Sequence, residues 1–378
     1  MSEGTRRTHR DVSPLELFFD LVFVLAIGRL THHLVDHLSW LGAAETLIAV
    51  IAVCGVWTFT SFELTLLDID RGATRVIAIA VMGLGLFMNA GITHAFAENP
   101  WLFVVPMLLA LVGPGCYAAV AAPNPALRGH FVRVLVWFAV STPLWVIGAA
   151  VSPGTRIWWW GAAAVIDLIG TWTAHPTPGR TTRTERLTFD VDHMLERMRL
   201  FLIILLGETV LTLGGVLAEH TPDTLTLLVA VGAFLALVCL WAIYFGRAEQ
   251  AVMSHIATTA DPLRSVHRGM NVIYGVLTGL VVFAAGIDLV LAHVHDDRAG
   301  AGGVLVLAGP ALYLLSQAVY FRLETGRGGL ARAVGVVALA VAAAFAFWLP
   351  PYTVIAVLVI ILVLLTAHLA RPGRPGWS

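Results

Sequence analysis

Apolar runs of about twenty residues recur from one end of this chain to the other, each long enough to cross a bilayer as a helix. Nothing else constrains the fold as strongly, because a helix is a segment that can bond all its own backbone groups inside lipid. Composition agrees. The chain has 378 residues, 58% hydrophobic and 12% charged, whereas a soluble domain carries about 25% charged residues. The expectation is an all-α, polytopic transmembrane helix bundle with no soluble domain of useful size and with the lipid bilayer as its surroundings. A net charge of −1 gives no reason to expect a nucleic-acid partner. Cys54, Cys116 and Cys239 all fall inside apolar runs, so they form neither a disulfide framework nor a metal-type spacing. No metal site and no cofactor is implied. No cleavable signal peptide is visible, since the first run contains acids and lacks a small-residue cleavage site.

About twelve spans are expected, near 14–36, 42–66, 74–96, 101–122, 131–151, 156–174, 196–218, 223–246, 269–293, 302–322, 329–349 and 351–370. Pro350-Pro351 separates the last two. There is no Lys in the chain, so Arg alone carries the topogenic charge. Arg6, Arg7 and Arg10 precede the first span, and Arg71 and Arg75 lie at the second connection. Arg128 and Arg133, the "GRTTRTER" stretch, Arg264 and Arg268, Arg322 and Arg327, and Arg371 and Arg374 fall at every second connection after that. The opposite side holds only Arg156 and Arg298. The positive-inside rule then places both termini in the cytoplasm.

The halves 1–180 and 181–378 resemble each other. "VGPGCYAAV" in span four matches "AGPALYLLS" in span ten, "NAGITH" matches "AAGIDL", and Trp57 matches Trp241. Six spans per half give both halves one orientation, so the expectation is two parallel six-helix pseudo-repeats. Transporters built this way place their site where the halves meet. Gly113-Pro114-Gly115 and Gly309-Pro310 are matched positions where a helix could kink or break.

The first span, "LELFFDLVFVLAIGRLTHHL", carries Glu16, Asp20 and Arg29. Aligning "LAIGR" with "ILLGE" sets Gly28 on Gly207, which puts Arg29 opposite Glu208 and Asp20 opposite Arg199, with the sign of charge exchanged at both places. A lone charge at the bilayer centre costs at least about 2.5–3.5 kcal/mol, so pairing is expected at both. Glu16 and Asp20 are four residues apart and share a helix face, which can look inward while Phe18, Val22 and Leu25 look towards lipid. Asp167 in span six and Asp288 in span nine add two more intramembrane acids. The binding candidates are therefore Glu16, Asp20, Arg29, Arg199, Glu208, Asp167 and Asp288. Two readings stay open: the charges hold the halves in register, or they line a solute, ion or proton path. Glu63, Glu196 and Arg197 sit near span ends and read as snorkelling side chains.

At these residues the chain resembles the bacterial low temperature requirement protein A family. The resemblance rests on "ELFFDLVFVLAIGRLTH" at 16–32 and "HMLERMRLFLIILLGETVL" at 193–211, with His193, Glu196, Arg197 and Leu206-Gly207-Glu208 in the second motif. It implies a multi-pass bacterial inner-membrane protein of about twelve spans and assigns no chemistry. The family often carries a Tyr/His-Leu-Pro element in span nine. Here that stretch reads "MNVIYGV", with Asn271 and Tyr274 but no His or Pro.

His32, His33, His37, His94, His220, His293 and His295 gather at the outer span ends, spread over four helices, and read as interfacial residues. There is no HExxH and no Gly-x-Ser-x-Gly elbow, and a Walker A loop is excluded by the lack of Lys. "GVLTG" at Gly275–Gly279 fits a small-xxx-small helix contact, and Trp158, Trp159 and Trp160 fit an interfacial anchor. Three functions remain open: secondary transport or permeation of a small solute or ion, with a proton as co-substrate; an integral-membrane enzyme using Glu16, Asp20, Asp167 and Glu208 on an apolar substrate; and a scaffold or stress protein with no solute path. A homo-oligomer is compatible with all three.

Overall fold

The computed structural model describes residues 12–67, 72–122, 124–177, 189–219, 222–246, 252–256, 259, 262–326 and 329–371. The described long elements are all helices: α1 (Pro14–Asp36), α2 (Trp40–Leu67), α3 (Gly72–Gly91, continued by a 3-10 turn at Ile92–His94), α4 (Pro100–Ala121), α5 (Pro125–Ala150), α6 (Pro153–Trp172), α7 (Val191–Glu219), α8 (Thr224–Tyr244), α9 (Pro262–Ala292), α10 (Gly300–Thr325), α11 (Leu330–Ala346) and α12 (Pro351–Ala370). Nine of them are long and apolar enough to cross a membrane: α2 to α5, α7 to α10 and α12. Of the rest, α11 is only 17 residues long and α1 carries Glu16, Asp20, Arg29 and Asp36.

Starts are written into the sequence as a capping residue followed by proline. Ser13 and Glu16 form a capping box ahead of Pro14, Asn124 caps α5 ahead of Pro125, and Asn99 caps α4 ahead of Pro100. Each cap oxygen accepts an otherwise unpaired first-turn N–H, and a proline at the first position has no N–H to leave orphaned. The Gly-Pro sites do not break their helices. Pro106 and Pro114 lie inside a continuous α4, and Pro310 inside a continuous α10. Three helices start at least five residues earlier than their apolar runs suggest, α5 at Pro125 instead of 131, α7 at Val191 instead of 196 and α9 at Pro262 instead of 269. Those extra turns hold polar residues and matter below.

Within the first half, α1 packs on α2 and α3, α3 on α4, α4 on α5, α5 on α6, and α2 on α4 and α6. Within the second, α7 packs on α8 and α9, α9 on α10, α10 on α11, α11 on α12, and α8 on α12. Helices α1 and α7 join the halves and run parallel. The Glu16–His193 and Asp20–Arg197 contacts both span 177 residues of chain, and further along Gly28 lies against Glu208. The exposed face of α1 carries Phe18, Leu21 and Leu25, while Glu16 and Asp20 are buried, as the pattern requires. Trp158 and Trp159 are exposed as an interfacial anchor would be, but Trp160 is core and donates its indole N–H to the Trp145 carbonyl.

Arg156, one of two arginines on the sparsely charged side, is buried and donates to the carbonyls of Ala95, Ala97, Gly148 and Val151. Its role is to satisfy helix ends that lie away from water. It therefore says little about topology.

Candidate functional site

Two groups of polar side chains lie inside the bundle. The first is a clamp between α1 and α7. Glu16 Oε1 receives a hydrogen bond from His193 Nε2 at 2.9 Å and lies 3.7 Å from Arg197 Nη1. Asp20 Oδ1 accepts from Arg197 Nη2 at 3.0 Å and from the Trp57 indole N–H at 2.8 Å. Both helices present their pair at an i,i+4 spacing, so two flat faces meet with acids on one and bases on the other. Arg197 is fully buried, with its guanidinium 5.1 Å from the Phe19 ring centre, and Trp57 stacks on Phe201 at 4.0 Å. Charge removed from water to this degree is held by its geometry, because either partner alone would be a buried unpaired ion.

This corrects three expectations. The residue that meets Asp20 is Arg197, not Arg199. Two residues turn a helix by about 200°, which carries Arg199 to the exposed side of α7, where it lines a small second cavity with Tyr244 and Gln317. Arg29 and Glu208 form no ion pair. Arg29 is exposed on the same stripe as Leu25, whereas Glu208 is half-buried, its Oε1 3.0 Å from where a Cβ on Gly28 would stand. Snorkelling fails for Arg197 and for Glu63, which is 2% exposed with both carboxyl oxygens buried and unbonded. Asp288 is half-buried on α9.

The second group lines a cavity of about 180 Å³ enclosed by α2, α4, α5, α6 and the first turns of α9. Phe59, Phe62, Met107, Leu111 and Phe138 form apolar walls. The polar lining is concentrated at one end, where α5 and α9 begin and α6 stops: His130, His175, Arg264 and His267, with Thr171 beside them. Asp167 lies one helical turn deeper, its Oδ2 accepting from the Trp145 indole N–H at 2.9 Å. Its Oδ1 is buried without a hydrogen bond, as are His130 Nδ1 and His267 Nε2. Thr58 Oγ1, on another lining residue, is likewise buried without a hydrogen bond, and since buried polar atoms are nearly always bonded, four such atoms on residues of one lining set this region apart.

His175 arrives there by an unusual route. Just past α6 both Ala174 and His175 adopt left-handed backbone conformations, with φ of 59° and 54°. Side-chain-bearing residues rarely do so, and the strain costs of order 1–2 kcal/mol per residue. The turn drives the imidazole back under the bundle, against Trp137 and Phe138. Burial, and then the neighbouring His130, His267 and Arg133, hold its pKa down to about 3. His175 is thus a neutral imidazole at physiological pH.

Asp167 was among the sequence candidates, but the three histidines were not. His130, His175 and His267 stand at positions that are far apart in the chain, and the outer-end histidines drew attention instead. Of those, His33 and His37 do stack, at 4.5 Å, and His33 pairs with Glu45 at 3.2 Å. His220 lies outside the described residues. Tyr274, in the stretch that departs from the family element, is buried behind the cavity residue Gly55, its hydroxyl 3.9 Å from where a Cβ on that glycine would be.

A helical bundle with apolar helices long enough to span a bilayer, a buried ion-pair clamp and an internal polar-ended cavity defines an integral membrane protein. Residues 11–367 match the family model described as bacterial low temperature requirement A protein (LtrA), and the chain belongs to that family. It is similar to an uncharacterized protein of Rhizobium meliloti (strain 1021), 32% identical over 310 residues, which are 79% of this chain and 74% of the relative.

Proposed function

We propose that this chain is a secondary transporter or permease of the bacterial inner membrane that moves a small solute with a proton, and that the cavity between α2, α4, α5, α6 and α9 is its solute site. The reading takes all twelve long helices as spans, arranged as parallel halves 1–180 and 181–378 with both termini cytoplasmic. Two features support that arrangement. Helices α1 and α7 run parallel, and the packing pairs of the second half repeat those of the first. The observation that carries the function is the cavity itself, where buried unbonded atoms of Asp167, His130 and His267 converge inside the spanning bundle. Intramembrane ionisable groups around a cavity mark proton and solute paths. A scaffold would have no use for such a cavity.

In this reading Glu16 and Asp20 are structural members of the clamp, and Asp167 takes the proton-handling role. The test is proton movement into proteoliposomes that hold a pH-sensitive dye, challenged with small organic anions, cations and neutral solutes. At least one solute is expected to drive dye response above that of empty liposomes, and Asp167→Asn to abolish it at equal reconstituted protein. If no solute exceeds the empty-liposome signal, or if Asp167→Asn retains the full rate, the proposal is wrong.

A further inference from the structure

Two opposite charges at the outer surface of α1 and α7 have no partner within the chain. We infer that they are the two sides of a contact between copies, with Arg29 of each protomer meeting Glu208 of the other in a twofold dimer. The contact is separate from the cavity and does not depend on what enters it.

Both charges are stranded. Arg29 is exposed and Glu208 half-buried, and among the described residues neither side chain has a hydrogen bond or an ion pair. The flanking helices supply no counter-charge. Helix α3, which packs on α1, carries no charged residue from Val76 to Gly91, and α8, which packs on α7, carries none from Thr224 to Tyr244. The next charge on the Arg29 stripe is Asp36, two turns on at the helix end. Water is also distant. Glu208 stands eleven residues before the end of α7 and Arg29 seven before the end of α1, which is about 16 and about 10 Å at a rise of about 1.5 Å per residue. A helical side chain leaves its backbone tilted towards the N-terminus, so the guanidinium starts out away from the nearer end of α1. A glutamate is too short to cover its distance. Charges at such depth are costly and pair with one another.

Their placement fits a second copy. Gly28 faces α7, since Glu208 Oε1 lies 3.0 Å from where its Cβ would stand. The next residue is turned by about 100°, so Arg29 lies on the far side of the exposed face of α1, with the exposed Leu21 and Leu25 between it and α7. Arg29 and Glu208 thus stand at nearly one depth, on opposite margins of an apolar strip. A twofold axis along the membrane normal through that strip brings each margin against the other. It sets Arg29 against Glu208 twice and keeps both copies in one orientation across the bilayer, the self-complementary pattern of a twofold contact. Beside Glu208, the exposed Gly207 leaves a notch, because a Cβ there would meet nothing within 4 Å. A long side chain from the other copy has room to enter.

The experiment is energy transfer between donor- and acceptor-labelled full-length copies in liposomes, followed as the protein is diluted with lipid. The wild type is expected to show transfer that rises linearly with acceptor fraction, as a dimer gives. Arg29→Glu alone and Glu208→Arg alone place like charges together at both contacts, and each should weaken dimerisation by at least about tenfold. Mixing the two reversed chains restores both pairs and should bring transfer back, which a contact within one chain cannot do. Arg29→Gln guards against a reversal that does not fold: it should also weaken dimerisation by at least about tenfold, with an unchanged thermal midpoint. A monomeric wild type, a dimer of full strength in Arg29→Gln, or folded reversed chains that stay monomeric when mixed would overturn the inference.

Discussion

The two halves of the bundle differ most at the positions where their sequences match best. In α4, a side chain added at Gly113 would meet nothing within 4 Å. At the matched position in α10, a Cβ on Gly309 would lie 2.4 Å from the backbone nitrogen of Phe283 and 2.6 Å from the Gly279 carbonyl. Gly279 and Gly286 on α9 and Gly302 and Gly309 on α10 let the two helices approach backbone to backbone, while Gly275 makes room for the Ser316 side chain, so "GVLTG" lies in the helix contact its small residues suggest. At the end of that pair, Glu324 accepts from Arg268 at 3.1 Å and also from the Ser265 hydroxyl. Tyr313 is fully buried and donates to the Leu240 carbonyl at 3.2 Å, while its counterpart Tyr117 is only half-buried. Most of the lining of the polar-ended cavity comes from residues before 180, whereas the closest helix contact lies between α9 and α10. Similar stretches of sequence thus stand in a close backbone contact at Gly309 and in open surroundings at Gly113.

The largest test of this contrast concerns the clamp that joins the halves. Arg197→Ala would leave Asp20 and Glu16 buried with one base between them, and should cost about 3–5 kcal/mol. It should appear as a large fall in thermal midpoint in detergent, whereas Arg199→Ala, on the exposed side, should barely move it. Equal effects would mean that the clamp is not what holds α1 to α7.

A smaller effect should separate the matched glycines. Gly309→Val overpacks a backbone contact and should destabilise by about 1–3 kcal/mol, while Gly113→Val should be near neutral by the same measurement. If both are tolerated, the close contact at Gly309 is not real.

The smallest effect concerns the cavity. His175 has a folded pKa of about 3 against an ordinary 6.5. Because the folded value is the lower one, the unfolded chain binds the proton first. The stability of neutral His175 is therefore fully present above pH 6.5 and is lost as pH falls from there towards 3. The loss should reach about 1 kcal/mol in the first unit below 6.5. His175→Gln should flatten that part of the stability–pH curve. A curve unchanged by the substitution would place the imidazole in water, outside the cavity.

How far the site could be read in advance depended on where each residue lies relative to an apolar run. Glu16 and Asp20 interrupt a span, so they were visible, and their shared inward face followed from spacing alone. Arg197 was misplaced because a hydropathy window begins where the apolar run begins, whereas α7 starts five residues earlier, at Val191. The same shortfall hid His267, which lies in the polar first turns of α9. A capping or charge pattern extended backwards from each run could have recovered both. His130 was hidden in the same way, in the turns between the Asn124-Pro125 cap and the apolar run that begins at 131. His175 carried no such signal, because its place depends on a left-handed turn at two residues, neither of which is glycine.

The sequence by itself determined that the chain is a bundle of spanning helices, where most helices begin, that Glu16 and Asp20 face inward, and to which family the chain belongs. These follow from local rules: run length, caps and prolines, and helical periodicity. Only the tertiary structure decided that Asp20 pairs with Arg197, that Arg29 and Glu208 stay apart, and that three histidines surround one cavity. Each of these depends on how one helix is rotated against another. An error of one or two residues turns a side chain by 100° to 200°, which is the difference between a buried partner and a lipid-facing one.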